Sequence, residues 1–72
     1  MRRFDTRALY QALEEERKSR DLSSRKVALE IGVSVTTLTR TRSGGRMEVD
    51  GMLAMVAWLG VSVESFVREV SS

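Results

Sequence analysis

The sequence predicts an all-α fold, a single domain of five short helices spanning residues 1–72. Three observations carry that expectation. Apolar residues recur at helical spacing, as in Leu9, Ala12 and Leu13 and again in Met52, Val56 and Leu59. The apolar stretches follow side chains suited to capping, such as Asp5, Ser23, Ser34 and Ser62, and two are closed by Gly32 and Gly60. No proline interrupts any of them.

A chain of 72 residues builds one modest core. Chains this short lean on disulfides, metals or oligomerisation. There is no Cys and no His, so disulfides and the common zinc sites are excluded. The same absence removes the usual catalytic bases and thiol nucleophiles. Glu14, Glu15 and Glu16 lie on a solvated helix end with no sign of a pocket, so no enzyme and no cofactor are expected. The longest apolar candidate, residues 51–63, is shorter than the roughly 18 residues of a membrane span. The opening MRRFDTRA lacks the apolar stretch of a signal peptide. A cytoplasmic protein is expected.

In chain order, Asp5 or Thr6 caps the first helix, and Leu9, Ala12 and Leu13 are its buried stripe. Glu14, Glu15 and Glu16 precede Arg17, Lys18 and Arg20, which permits Glu14–Lys18 and Glu16–Arg20 pairs at i, i+4. Asp21 ends this helix, Leu22 turns inward, and Ser23 caps the second, whose buried face is Val27, Ala28 and Ile31. Gly32 stops it through positive φ. Val33 plugs the turn and Ser34 caps a third helix over residues 35–42. Leu38 is the large apolar residue in its middle. Thr36, Thr37, Thr39 and Thr41 are poor helix formers, yet Val35-Thr36-Thr37-Leu38 lacks the alternation of a strand. Such resistance to local preference often marks a functional surface. Ser43-Gly44-Gly45 is the clearest break, and it lacks the pattern of a nucleotide phosphate loop. A fourth helix over residues 48–59 carries Met52, Leu53, Val56 and Leu59 as its apolar stripe, widened by Val49, Met55 and Trp58. Gly60 ends it and Val61 is placed in the core. Ser62 caps a fifth helix over residues 63–70, with Phe66, Val67 and Val70 as its apolar edge.

Charge is unevenly spread. Residues 17–46 carry eight Arg and Lys against Asp21 and Glu30, whereas the remainder carries four against eight acids. A basic middle between acidic ends fits one face for a polyanion. The third helix supplies chemistry to match. At about 100° per residue, Thr36 and Arg40 point away from Leu38, Val35 and Thr39 lie on one shoulder, and Thr37 lies on the other. Arginine gives a bidentate bond to guanine O6 and N7, and a Thr or Val methyl packs on a thymine methyl. Phosphate contacts need cations and backbone N–H groups. Ser24, Arg25 and Lys26 before this helix, and Arg42, Ser43 and Arg46 after it, are placed to supply them.

The stretch LSSRKVALEIGVSVTTLTRTRSGG, followed by MLAMVAWLGVSVESF, resembles the lambda-repressor/Cro-like (XRE-type) helix-turn-helix family of bacterial and phage regulators. The matching residues are Leu22, Ser23, Val27, Ala28, Ile31, Gly32, Val33, Ser34, Leu38 and Gly44, then Met55, Leu59, Gly60, Val61, Ser62 and Phe66. The resemblance implies a five-helix lambda-repressor-like domain with the helix-turn-helix at its second and third helices. It implies a sequence-specific regulator of double-stranded DNA, with Val35, Thr36, Thr39 and Arg40 at bases. Ser24, Arg25, Lys26, Thr37, Arg42, Ser43 and Arg46 then fall at or beside phosphates. Three positions depart from the family pattern. Ser24 replaces a Gln. Thr41 replaces a large apolar anchor. Arg42 replaces an acid that pairs with the first helix, so Arg42 either faces phosphate or finds Glu14 or Glu16 as a swapped partner.

Family members usually bind as dimers. Trp58, Phe66, Val67 and Val70 are more apolar surface than the end of so small a domain easily buries. Either they close the core or they form a two-fold interface. Phe66 is assigned to the core, and Trp58, Val67 and Val70 to a homodimer interface. The alternative function is a protein-interaction module on the same fold, an antitoxin or an adaptor, with a toxin or polymerase as partner.

Overall fold

Local signals set the helix boundaries. The Asp5 carboxylate accepts the Ala8 N–H at 3.0 Å and starts α1 (Thr6–Ser19). This helix ends where Asp21 takes positive φ (56°) and the Leu22 and Asp21 N–H groups donate back to the Arg17 and Lys18 carbonyls. Ser23 caps α2 (Ser24–Ile31) by accepting the Lys26 N–H at 3.1 Å, and Gly32 ends it at φ 92°. Ser34 caps α3 (Val35–Thr41) through the Thr37 N–H at 3.0 Å. The apolar α4 (Val49–Leu59) stops at Gly60, φ 73°. A 3₁₀ turn, Val63–Phe66, follows. The structure, a computed structural model, describes residues 1–70.

The ends of the chain correct the expected five-helix, all-α fold. Among the described residues there are four α-helices and a two-stranded antiparallel sheet of β1 (Arg2–Phe4) and β2 (Val67–Glu69). The fifth helix over residues 63–70 does not form. Its backbone groups are claimed elsewhere. In that helix the Val70 N–H would bond the Phe66 carbonyl. Instead Val70 donates to the Met1 carbonyl at 2.7 Å, and the Phe66 carbonyl accepts the Asp5 N–H at 2.7 Å. The strands pair Arg2 with Glu69, Arg3 with Arg68 and Phe4 with Val67. Phe4 and Phe66 meet edge to face with centroids 5.9 Å apart.

The core comprises Leu9 and Leu13 of α1, Val27 and Ala28 of α2, Leu38 of α3, Met55 and Val56 of α4, and Phe66. Leu22, Ile31 and Val33 pack on it half-buried, as the spacing predicts. The inward face of α4 differs from expectation. Met55 and Val56 are buried, whereas Leu53 is 48% exposed and Val49 61% exposed; Val61, expected inside, is 44% exposed. Among the described residues no helix is long and apolar enough to cross a membrane.

Candidate nucleic-acid interface

Between α2 and α3 lie only Gly32, Val33 and Ser34, so the helices meet through a tight turn. From beneath, α3 is held by Leu38 and Thr41, which are 6% and 2% exposed. Thr41 therefore anchors the helix despite its size. Its hydroxyl donates to the Thr37 carbonyl at 3.1 Å and lies 3.8 Å from Met55 Sδ, so the buried oxygen is satisfied.

The opposite side of α3 presents Val35, Thr36, Thr39 and Arg40, all exposed. Their polar atoms differ in availability. Thr39 donates its hydroxyl to the Val35 carbonyl at 2.9 Å, and the Thr37 hydroxyl is shared with the Ser34 capping oxygen at 2.9 Å. Among the described residues Thr36 makes no side-chain hydrogen bond and Arg40 makes no ion pair. Both are free to meet an external partner.

The two shoulders of α3 face different surroundings. Thr39 borders a small depression with Tyr10, Arg17 and Ser24. Thr37 and Arg40 border an open cleft of about 360 Å³, walled opposite by Arg46, Glu48, Asp50 and Gly51. Ser24, Arg25 and Lys26 are exposed at the first turn of α2. Beyond α3, Ser43 donates its hydroxyl to the Arg40 carbonyl at 2.8 Å, and Arg42 and Arg46 are exposed. The expected base-facing residues thus share one face, with Ser24 bordering one shoulder of α3 and Thr37 and Arg46 the cleft at the other.

Two arginines that the sequence reading left outside the candidate face, Arg3 and Arg7, lie close to the loop after α3. Gly44 sits at φ +77°, and a Cβ there would lie 2.7 Å from the Arg7 side chain. Arg3 and Arg7 border the groove at Gly44, and Arg3 and Arg46 both line a wider depression next to it. The cationic surface after α3 therefore extends onto α1 and β1. Only the glycine hinted at this close approach, because Arg7 is distant along the chain.

Arg42 has no ion pair among the described residues, because Glu14 and Glu16 are held by Arg17 and Arg20. The expected Glu14–Lys18 pair is likewise replaced by Glu14–Arg17, while Glu16–Arg20 forms at 2.9 Å. Tyr10 also donates its hydroxyl to Glu14 at 2.8 Å, and Arg17 donates to the Leu22 carbonyl at 2.9 Å. Burial pushes the Glu14 carboxyl up, but hydrogen bonds from Arg17 and Tyr10, with the charges of Arg17 and Lys18, outweigh it and hold its pKa below the ordinary value. Burial first, then the bond to Glu14, raises the Tyr10 pKa; Arg42 and Arg17 oppose that rise. A depressed carboxyl pKa stabilises the fold above the unfolded value, near 4.5, and that contribution is lost as pH falls through the lower folded value. Urea titrations at pH 7 and pH 3 should therefore show a smaller loss of stability for Glu14→Gln than for the parent. Equal losses would show that the pair with Arg17 contributes nothing.

The expected dimer residues occupy separate elements. Trp58 is half-buried on α4, donates to Glu30 at 3.0 Å and lies under the Arg20 guanidinium at 4.6 Å. Val67 pairs with Phe4 in the sheet, and Val70 is bound to Met1. Comparison with known proteins gives no match to a family model, to a curated protein or to a solved structure.

Proposed function

We propose that this chain is a sequence-specific regulator of transcription of the lambda-repressor/Cro-like kind, working as a repressor. It acts in the cytoplasm, on the nucleoid, as a homodimer that reads the major groove of double-stranded DNA with α3. The observation that supports this most directly is the outer face of α3. Among the described residues it presents Thr36 and Arg40 without side-chain partners, on a helix preceded in the chain by the exposed Arg25 and Lys26 and followed by the exposed Arg42 and Arg46. An exposed, unpaired arginine on a short helix after a tight turn suits a guanine edge, and the flanking cations suit two phosphate backbones. Arg42 makes no ion pair among the described residues, although its charge reaches Tyr10 of α1, and this leaves its guanidinium able to meet a phosphate.

Selection from random duplex DNA with the purified protein, at near-physiological salt, tests the reading. A palindromic site with half-sites about one helical turn apart is expected. A pool that shows no enriched sequence would sink it. The alternative, an antitoxin or adaptor, is favoured by the exposed Leu29, Val49, Leu53 and Val61. A co-purifying protein partner, with DNA affinity no better than nonspecific, would support that alternative instead.

A further inference from the structure

We infer that Arg3 and Arg7, with the backbone of Gly44 and Gly45, form a second phosphate-binding site, which grips the DNA strand beyond the bases read by α3. The inference rests on the proposed DNA-binding role and adds a contact outside the half-site. Arg3 stands on β1, Arg7 in the first turn of α1, and Arg46 in the loop after α3. The fold gathers all three around this loop. Arg3 and Arg7 line the groove at Gly44, and Arg3 and Arg46 line the depression next to it. All three are exposed, and none makes an ion pair among the described residues. The carboxylate that borders the groove, Asp5, is already engaged, by the Ala8 N–H at 3.0 Å and by Arg68 at 3.5 Å. Like charges gathered without counter-charges raise the local potential and draw an anion.

Gly44 makes the arrangement possible. A Cβ there would lie 2.7 Å from both Cγ and Nε of Arg7. The Arg7 side chain therefore lies against bare loop backbone, and ordering it in advance lowers the entropy cost of a later contact. Neither Gly45 nor Arg46 donates its backbone N–H to a carbonyl among the described residues. Such N–H groups, with arginines beside them, are common partners of a phosphate. Arg46 connects the groove to the reading face. It lines the cleft that holds Thr37 and Arg40 as well as the depression that holds Arg3. The acids of that cleft, Glu48 and Asp50, stand at the start of α4, and no acid lines the depression. A sugar–phosphate strand leaving the base at Arg40 thus finds a more favourable potential past Arg46, where it meets Arg3 and Arg7.

The test uses the full chain and its selected site in two duplexes, one ending at the half-sites and one with several further base pairs of unrelated sequence on each side. The parent should hold the longer duplex more tightly, with a steeper fall of log K against log salt. Arg3→Gln and Arg7→Gln should each flatten that slope on the longer duplex by about one per protomer. Both should leave binding to the shorter duplex, and the preference for the selected sequence, unchanged. Arg2→Gln is the control of equal charge. Arg2 shares the strand with Arg3 but lies 3.6 Å from Glu69 and borders neither depression, so its slope should stay close to the parent's. Thermal melts check folding, and Arg3→Gln, at an exposed position, carries the test alone if the Arg7 change unfolds the chain. A parent that holds both duplexes equally would overturn the inference while leaving the regulator reading intact. So would Arg3→Gln and Arg7→Gln slopes no flatter than that of Arg2→Gln. Titration of the free protein with inorganic pyrophosphate gives the remaining arm: binding there that needs Arg3 and Arg7, with no gain from the DNA flanks, would assign the groove to a free anion and overturn the inference too. Absence of any sequence-selective binding by the parent would overturn both readings.

Discussion

Met55→Ala should remove about 2–5 kcal/mol of stability, the usual cost of truncating a large side chain at a site that cannot collapse. Met55 is fully buried and belongs to the cluster that joins all four helices. A chain of this length has on the order of 4–10 kcal/mol in total, so much of the population could unfold at 37 °C. Urea denaturation with circular dichroism measures the effect. Leu53→Ala, two residues earlier on the same helix, is the matched control. Leu53 is about half exposed, so the loss should stay below roughly 1 kcal/mol. Equal losses at the two positions would mean that α4 turns a different face inward.

Arg40→Ala should weaken binding to a guanine-containing half-site by about 1–3 kcal/mol and relax selectivity at that one position. The fold should be unaffected, because Arg40 is exposed and makes no ion pair among the described residues. Arg42→Ala should behave differently. A lost phosphate contact weakens all sequences alike and lowers the salt slope by about one. Quantitative binding over a salt series separates the two patterns. An Arg40→Ala protein that held the selected site as tightly as the parent would place the reading face elsewhere.

The four α-helices were legible because their signals are local. Asp5, Ser23 and Ser34 cap where a capping side chain stands, and Gly32 and Gly60 end helices at positive φ. The candidate face of α3 was legible from helical spacing alone, since Leu38 sets the inward direction. The error over residues 63–70 has a different origin. Val-Glu-Ser-Phe-Val-Arg-Glu-Val reads equally well as a short helix or as a turn and strand. The deciding partner, Arg2–Phe4, stands at the other end of the chain. The face of α4 was misjudged because its residues are apolar on nearly every side, which leaves periodicity little to point with. Thr41 was read as a weak anchor because its hydroxyl partners, the Thr37 carbonyl and Met55, become visible only in three dimensions.

The β1–β2 ladder has a consequence for how the molecule comes together. A lone pair of strands this short is marginal in water. Here the helical core brings Phe4 and Phe66 together, so most of the entropy of closing so large a loop is lost before the strands meet. The helix contacts, which are closer in sequence, should form first, and the ladder should zip last. The chain path is then almost a ring, fastened between Met1 and Val70, in which fraying of either end releases the other.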